Sequence, residues 1–204
     1  MKKISRILCL FLALVVFACM AMGSGSSDSD NKGSSGNNGQ SNNDSSNSET
    51  ADQSDESLFP TATLGELNAL GKAKSYLRVS AFSYEGLIGQ LEFEGFSREE
   101  AAFGADNCGA NWNEQALKKA ESYLDYSAFS RKGLIGQLEY EKFTTEQATY
   151  GVDNCGADWN EQAAKKAKSY LDMMSFSRER LIDQLEYEGF THEQAVYGVT
   201  QNGY

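Results

Sequence analysis

Leu87-Ile88-Gly89-Gln90-Leu91-Glu92 returns as Leu134-Ile135-Gly136-Gln137-Leu138-Glu139 and again as Leu181-Ile182-Asp183-Gln184-Leu185-Glu186. The step is 47 residues both times, and Tyr76-Leu77, Tyr123-Leu124 and Tyr170-Leu171 keep it, as do Phe82, Phe129 and Phe176. Self-similarity at a fixed period marks tandem structural repeats. Within the quoted stretch the apolar residues fall at i, i+1 and i+4, which is the spacing of a helix face rather than of a strand.

Each repeat reads as three short helices. In the second, Asn111-Trp112-Asn113-Glu114 is a capping box for a helix reaching about Asp125, with Ala116, Leu117, Ala120, Tyr123 and Leu124 inward and Lys118 and Lys119 outward. Ser130 caps a helix carrying Leu134, Ile135 and Leu138. Thr144, boxed by Gln147, caps a third carrying Ala148, Tyr150 and Val152, and Gly156 serves as its left-handed terminator. Ser83 and Ser97 repeat these signals in the first unit, and Ser177 and Thr191 in the third. The fold class is therefore all-α: three tandem three-helix, helix-turn-helix-like repeats over 58–110, 111–157 and 158–204.

Comparison among the repeats sorts their positions. Arg180 and Asp183 stand where Gly133 and Gly136 stand, which predicts that these glycines face solvent. Leu64 replaces the Asn111 and Asp158 caps, with Thr63 and Glu66 as a substitute box. Trp112 and Trp159 have no counterpart in the first repeat, so they are expected to fill the two junctions. The third repeat drops the Asn-Cys-Gly segment, as a last unit without a successor would.

Outward from the repeats, residues 1–57 change character. Lys2, Lys3 and Arg6 precede the apolar run Ile7 to Phe17, which is too short to span a bilayer comfortably but has the length of a signal-peptide core. Val16-Phe17-Ala18-Cys19 resembles a bacterial lipobox, so 1–18 is expected to be a lipoprotein signal peptide and Cys19 the lipidated residue. Residues 19–57 are rich in Ser, Gly, Asn and Asp and nearly devoid of large apolar side chains. Such a composition cannot bury enough surface to offset ordering entropy, which predicts a disordered tether. A coil of this length has an r.m.s. span of roughly 35 Å.

Charge narrows the partners. Residues 57–204 hold 22 acidic and 14 basic side chains, a net −8. That balance repels nucleic acid and attracts basic partners. No DNA-binding reading survives acidic second and third helices.

Catalytic and metal chemistry find no support. Cys108 and Cys155 occupy equivalent places one repeat apart, too far for a disulfide, and read as small residues buried at the junctions. The single histidine, His192, aligns with Arg98 and Thr145, an exposed helix start. No phosphate loop, nucleophile elbow or metal-ligand spacing occurs, so no cofactor, no metal and no small-molecule substrate is expected. The pairs Glu92/Glu94, Glu139/Glu141 and Glu186/Glu188 lie two apart, so their carboxylates do not face one another. They are either the solvated ends of the second helices or a periodic acidic stripe for a basic protein segment.

The frame Trp159-Asn160-Glu161-Gln162-Ala163, Ala167-Lys168-Ser169-Tyr170-Leu171, Phe176-Ser177 and Leu181-Ile182 through Ala195 resembles the Ltp family of host cell surface-exposed lipoproteins. The resemblance covers residues 64 to 204, with lipobox and polar linker in the family's places. It implies a non-enzymatic protein on the outer face of a Gram-positive cell membrane. It further implies superinfection exclusion, in which an acidic surface engages the basic end of the phage tape measure protein and blocks DNA injection. The phage members typically carry two repeats, and this chain carries three. A structural or adhesive module for a wall polymer or host ligand is the alternative.

Overall fold

The computed structural model describes Phe59 and residues 61–204, which fall within one unit, Ser48–Tyr204. The expected signal peptide, Cys19 and the whole of the expected tether lie outside the described residues. Nine helices and no strand occur among those described. They are α1 (Leu64–Val79), α2 (Tyr84–Phe93) and α3 (Arg98–Asn107) in repeat 1, then α4 (Trp112–Tyr126), α5 (Arg131–Tyr140) and α6 (Thr145–Asn154) in repeat 2. Repeat 3 has α7 (Trp159–Met173), α8 (Arg178–Tyr187) and α9 (His192–Gln201).

The starts follow the caps read from sequence. Thr63, Ser97, Thr144 and Thr191 each form a capping box with the residue three further on. Asn111 differs from expectation in one detail. Its side-chain oxygen accepts from the backbone of Asn113 and Glu114, but Glu114 answers through the Asn111 side-chain amide at 3.2 Å, so the box is not closed on the backbone. Gly156 is left-handed (φ 68°), as read, and Gly203 holds the same conformation in the third repeat (φ 97°). The third repeat thus keeps the glycine of the turn and replaces the Asn-Cys before it with Gln201-Asn202.

Each repeat has its own core. In repeat 1, Leu87, Ile88 and Leu91 of α2 meet Ala73 of α1 and Ala101 and Ala105 of α3. In repeat 3, Leu181, Ile182 and Leu185 meet Ala163, Ala167, Ala195 and Val199 in the same places. Each fully buried leucine contributes roughly 1.5–3 kcal/mol. The first and third helices of every repeat pack most closely, through small residues. A Cβ on Gly104, Gly151 or Gly198 would lie 2.9, 2.6 or 2.7 Å from the backbone of Ala69, Ala116 or Ala163. Tyr150 departs from its expected core position and is 41 % exposed.

The junctions are built differently from the expectation that put Gly133 in solvent. Ser83, the cap of α2, accepts from Gly86 N and donates 2.6 Å to the backbone carbonyl of Glu141, the C-cap of α5. Ser130 does the same with Gly133 N and the carbonyl of Glu188. The positive N-terminal end of one second helix therefore meets the negative C-terminal end of the next, an attractive alignment of helix dipoles. A Cβ on Gly133 would stand 3.3 Å from that Glu188 carbonyl, so the position is a contact with the next repeat. Gly136 has open space around it, as expected. Trp112 packs against the repeat 1 core with its ring edge-on to Tyr84 at 5.5 Å, which is the junction role read for it. Trp159 is half-buried at the same point of α7.

Candidate functional site

The six glutamates read as a stripe divide into two sets. Glu94, Glu141 and Glu188 are the C-caps of α2, α5 and α8 and turn back into their own repeats. Tyr123 donates its hydroxyl to Glu141 at 2.6 Å, and Gln137 donates to that hydroxyl at 3.1 Å. Lys119 closes the set on the other carboxylate oxygen at 3.2 Å. Tyr76, Gln90 and Lys72 surround Glu94 in the same way, as Tyr170, Gln184 and Lys166 surround Glu188.

These bonds move the titrations. The Tyr76 hydroxyl, helped by Lys72, holds the Glu94 carboxyl below the usual glutamate range against the opposing effect of burial. Burial first, and then donation to Glu94, pushes Tyr76 up; the same pair of causes raises Tyr170 further.

Lys119 corrects the expectation that it points outward. Its side chain is 12 % exposed. It lies over the Tyr123 ring of its own repeat at 5.9 Å and over Phe82 of the preceding repeat at 5.8 Å. Lys166 bridges Tyr170 and Phe129 in the same way. Each such cation–ring contact is worth about 0.5–1 kcal/mol at partly exposed sites. The sequence carried the signal, since lysine recurs at 72, 119 and 166.

Glu92, Glu139 and Glu186 form the second set and are exposed on the last turn of α2, α5 and α8. Each is held by the first residue of the following helix. Arg98 donates to Glu92 at 3.4 Å and Thr145 Oγ1 to Glu139 at 2.7 Å, and His192 Nδ1 lies 2.6 Å from Glu186. His192 is exposed, as read, but its position has a common task in all three repeats. None of the second helices has a basic residue in its last turn. An acid placed there adds to the negative end of the helix dipole and costs roughly 0.3–1 kcal/mol. The next residue of each helix is an exposed ring, Phe93, Tyr140 or Tyr187, at 73, 59 and 75 % exposure.

Cys108 and Cys155 are free and half-buried at the C-caps of α3 and α6, less enclosed than the sequence reading had them. Burial pushes both thiols up. No group of three or more metal-ligating side chains gathers among the described residues. No described helix is long and apolar enough to cross a membrane.

Comparison with known proteins agrees with the repeat frame. The family model described as host cell surface-exposed lipoprotein (Lipoprotein_Ltp) matches residues 66–108, 111–155 and 158–201, one match per repeat. A solved structure of Ltp, a superinfection exclusion protein from the Streptococcus thermophilus temperate phage TP-J34, is 35 % identical with a TM-score of 0.43. The similarity spans 45 % of this chain and 95 % of that one. No curated protein matches.

Proposed function

The chain belongs to the family of host cell surface-exposed lipoproteins, and from that premise we propose that it is a non-enzymatic binder of a basic protein segment that blocks phage DNA injection. The observation that carries this reading is the placement of Glu92, Glu139 and Glu186. Each repeat keeps an exposed carboxylate at the negative end of a helix, where the helix dipole disfavours it and a single side chain, Arg98, Thr145 or His192, answers it. A cation from a partner is the complement to such a site, and the exposed ring that follows in sequence offers a second contact for the same basic segment. Glu94, Glu141 and Glu188 belong to the same proposed stripe but act mainly through their Tyr and Lys partners, as supports.

In this reading the partner is the basic end of a phage tape measure protein, met at the outer face of a Gram-positive cell membrane. Cys19 carries the lipid, and the polar segment behind it gives the reach. The net −8 of residues 57–204 draws the partner in over a Debye length of about 8 Å at physiological salt.

A phage challenge that scores adsorption and DNA injection separately tests it. Cells displaying the chain should adsorb phage normally and resist injection. Cys19→Ala should lose protection, and the triple variant Glu92→Gln, Glu139→Gln, Glu186→Gln should lose most of it. Normal injection across a broad phage panel overturns the proposal.

A further inference from the structure

The two junctions show what one surface of this repeat receives. On repeat 1, Ser83 donates to a helix C-cap carbonyl, and Phe82 lies under the Lys119 ammonium. A Cβ on Gly86 would stand 3.6 Å from that carbonyl, and one on Gly89 would stand 3.8 Å from Lys142 Nζ. On repeat 2, Ser130 and Phe129 receive the Glu188 carbonyl and Lys166 in the same way. The occupant is each time the C-terminal turn of a helix with a first-helix lysine beside it, and at the first junction the turn itself also carries a lysine, Lys142.

Repeat 3 presents the same surface to solvent. Ser83 and Ser130 are 1 and 2 % exposed, whereas Ser177 is exposed. Ser175, Phe176, Ser177, Arg180, Asp183 and Gln184 line an open pocket of about 370 Å³ there. Tyr204 fixes its rim by donating to the Phe176 carbonyl. Three lining positions differ from the internal copies: Ser175 stands where Ala81 and Ala128 stand, and the other two differences suit a basic helix end. Arg180, at the Gly86 position, puts a guanidinium where a C-cap carbonyl arrives. Asp183, at the Gly89 position, puts a carboxylate where a turn lysine such as Lys142 lies.

We propose that Phe176, Ser177, Arg180 and Asp183 form a docking site for the lysine-bearing C-terminal turn of a helix in the basic partner. The inference rests on the functional reading above and adds to it where, and in what shape, the partner is held. Ser177 donates to the terminal carbonyl and Arg180 complements the negative helix end. Asp183 pairs with the turn lysine, and the Phe176 ring takes a second cation. A second copy of this chain fits less well, because its own first-repeat turn is Glu94-Gly95 and offers Asp183 no cation.

The test is a nuclear magnetic resonance titration of the full chain in detergent micelles. The probe is a synthetic alanine-rich helical peptide whose last turn carries two lysines, and the control carries two glutamates instead. The lysine peptide should shift resonances from Ser175 to Gln184, and Asp183→Lys should weaken it at least fivefold, with Asp183→Asn intermediate. Asp183 is exposed, so both variants should fold, which circular dichroism checks. Absence of shifts, or equal binding by Asp183→Lys, overturns the site. A chain mass that doubles with concentration and reverts in Asp183→Lys assigns the pocket to a second copy and overturns the partner. Cells carrying Asp183→Lys should lose protection from phage. Protection that survives this variant but fails in the triple glutamate variant overturns the docking site and leaves the functional reading standing.

Discussion

Ser83 and Glu141, 58 residues apart, are joined by a 2.6 Å hydrogen bond from the serine hydroxyl to the glutamate backbone carbonyl. One oxygen thereby starts a helix in repeat 1 and ends a helix in repeat 2. The same bond between Ser130 and Glu188 makes the second junction a copy of the first.

Removing these serines should separate the two tasks. Ser83→Ala or Ser130→Ala loses a cap and leaves a half-buried carbonyl without its donor, a cost of about 2 kcal/mol. Ser177→Ala loses the cap alone, about 1 kcal/mol. Denaturant titration of the three variants checks the difference; equal costs would show that the junction bond contributes nothing.

Glycines of similar appearance should respond in opposite directions. Gly151→Ala drives a Cβ to 2.6 Å from the Ala116 carbonyl, so α4 and α6 must part, at about 3 kcal/mol or more. Gly136→Ala meets nothing within 4 Å in the middle of α5 and should stabilise by about 0.5–1 kcal/mol. Lys142 holds φ 68° where its counterparts are Gly95 and Gly189. Lys142→Gly should therefore stabilise by up to about 1 kcal/mol. Melting temperatures of the three variants test the ordering.

Stability should fall at both ends of the pH scale. Glu94 and Asp153 have depressed carboxyls, held by Tyr76 and by Arg131. A depressed acid stabilises above its ordinary pKa, and that contribution disappears as pH falls through the lower folded value. Tyr76 and Tyr170 have raised hydroxyls, so their contribution is full below the ordinary tyrosine pKa and is lost as pH rises through the folded value. Melting temperature against pH should show a plateau with two limbs. Tyr170→Phe should shrink the alkaline limb, and Glu94→Gln the acid limb.

Cys108 and Cys155 should remain separate thiols. Burial raises both, so the reactive thiolate is scarcer than in a free cysteine and alkylation at neutral pH should be slower. Peptide mass spectrometry after exposure to air checks the first point: a Cys108–Cys155 crosslink would refute it.

Much of the site was legible at the level of position but not of partner. The frame marked Tyr123, Gln137, Glu141 and Lys119 as recurring, yet nothing in spacing links residues 14 to 22 apart across a turn. Lys119 was assigned outward because charge alone favours solvent; a ring from the neighbouring repeat and a carboxylate from its own reverse that. Gly133 was assigned outward because Arg180 aligns with it, but alignment between repeats holds only where their neighbours are alike. Ser177 and Ser83 each follow a phenylalanine and cap a second helix, and have opposite exposure for that reason.

The sequence by itself determined the helix starts, the period and the core, because capping and apolar spacing act within a few residues of each other. It also determined the sign of the charge and its recurrence at Glu92, Glu139 and Glu186. Only the tertiary structure decided which acids turn back into their own repeat and which stay at the surface, and which face of the repeat is closed at the junctions and open in repeat 3. Those outcomes depend on distances between helices of different repeats, and local sequence preferences do not encode them.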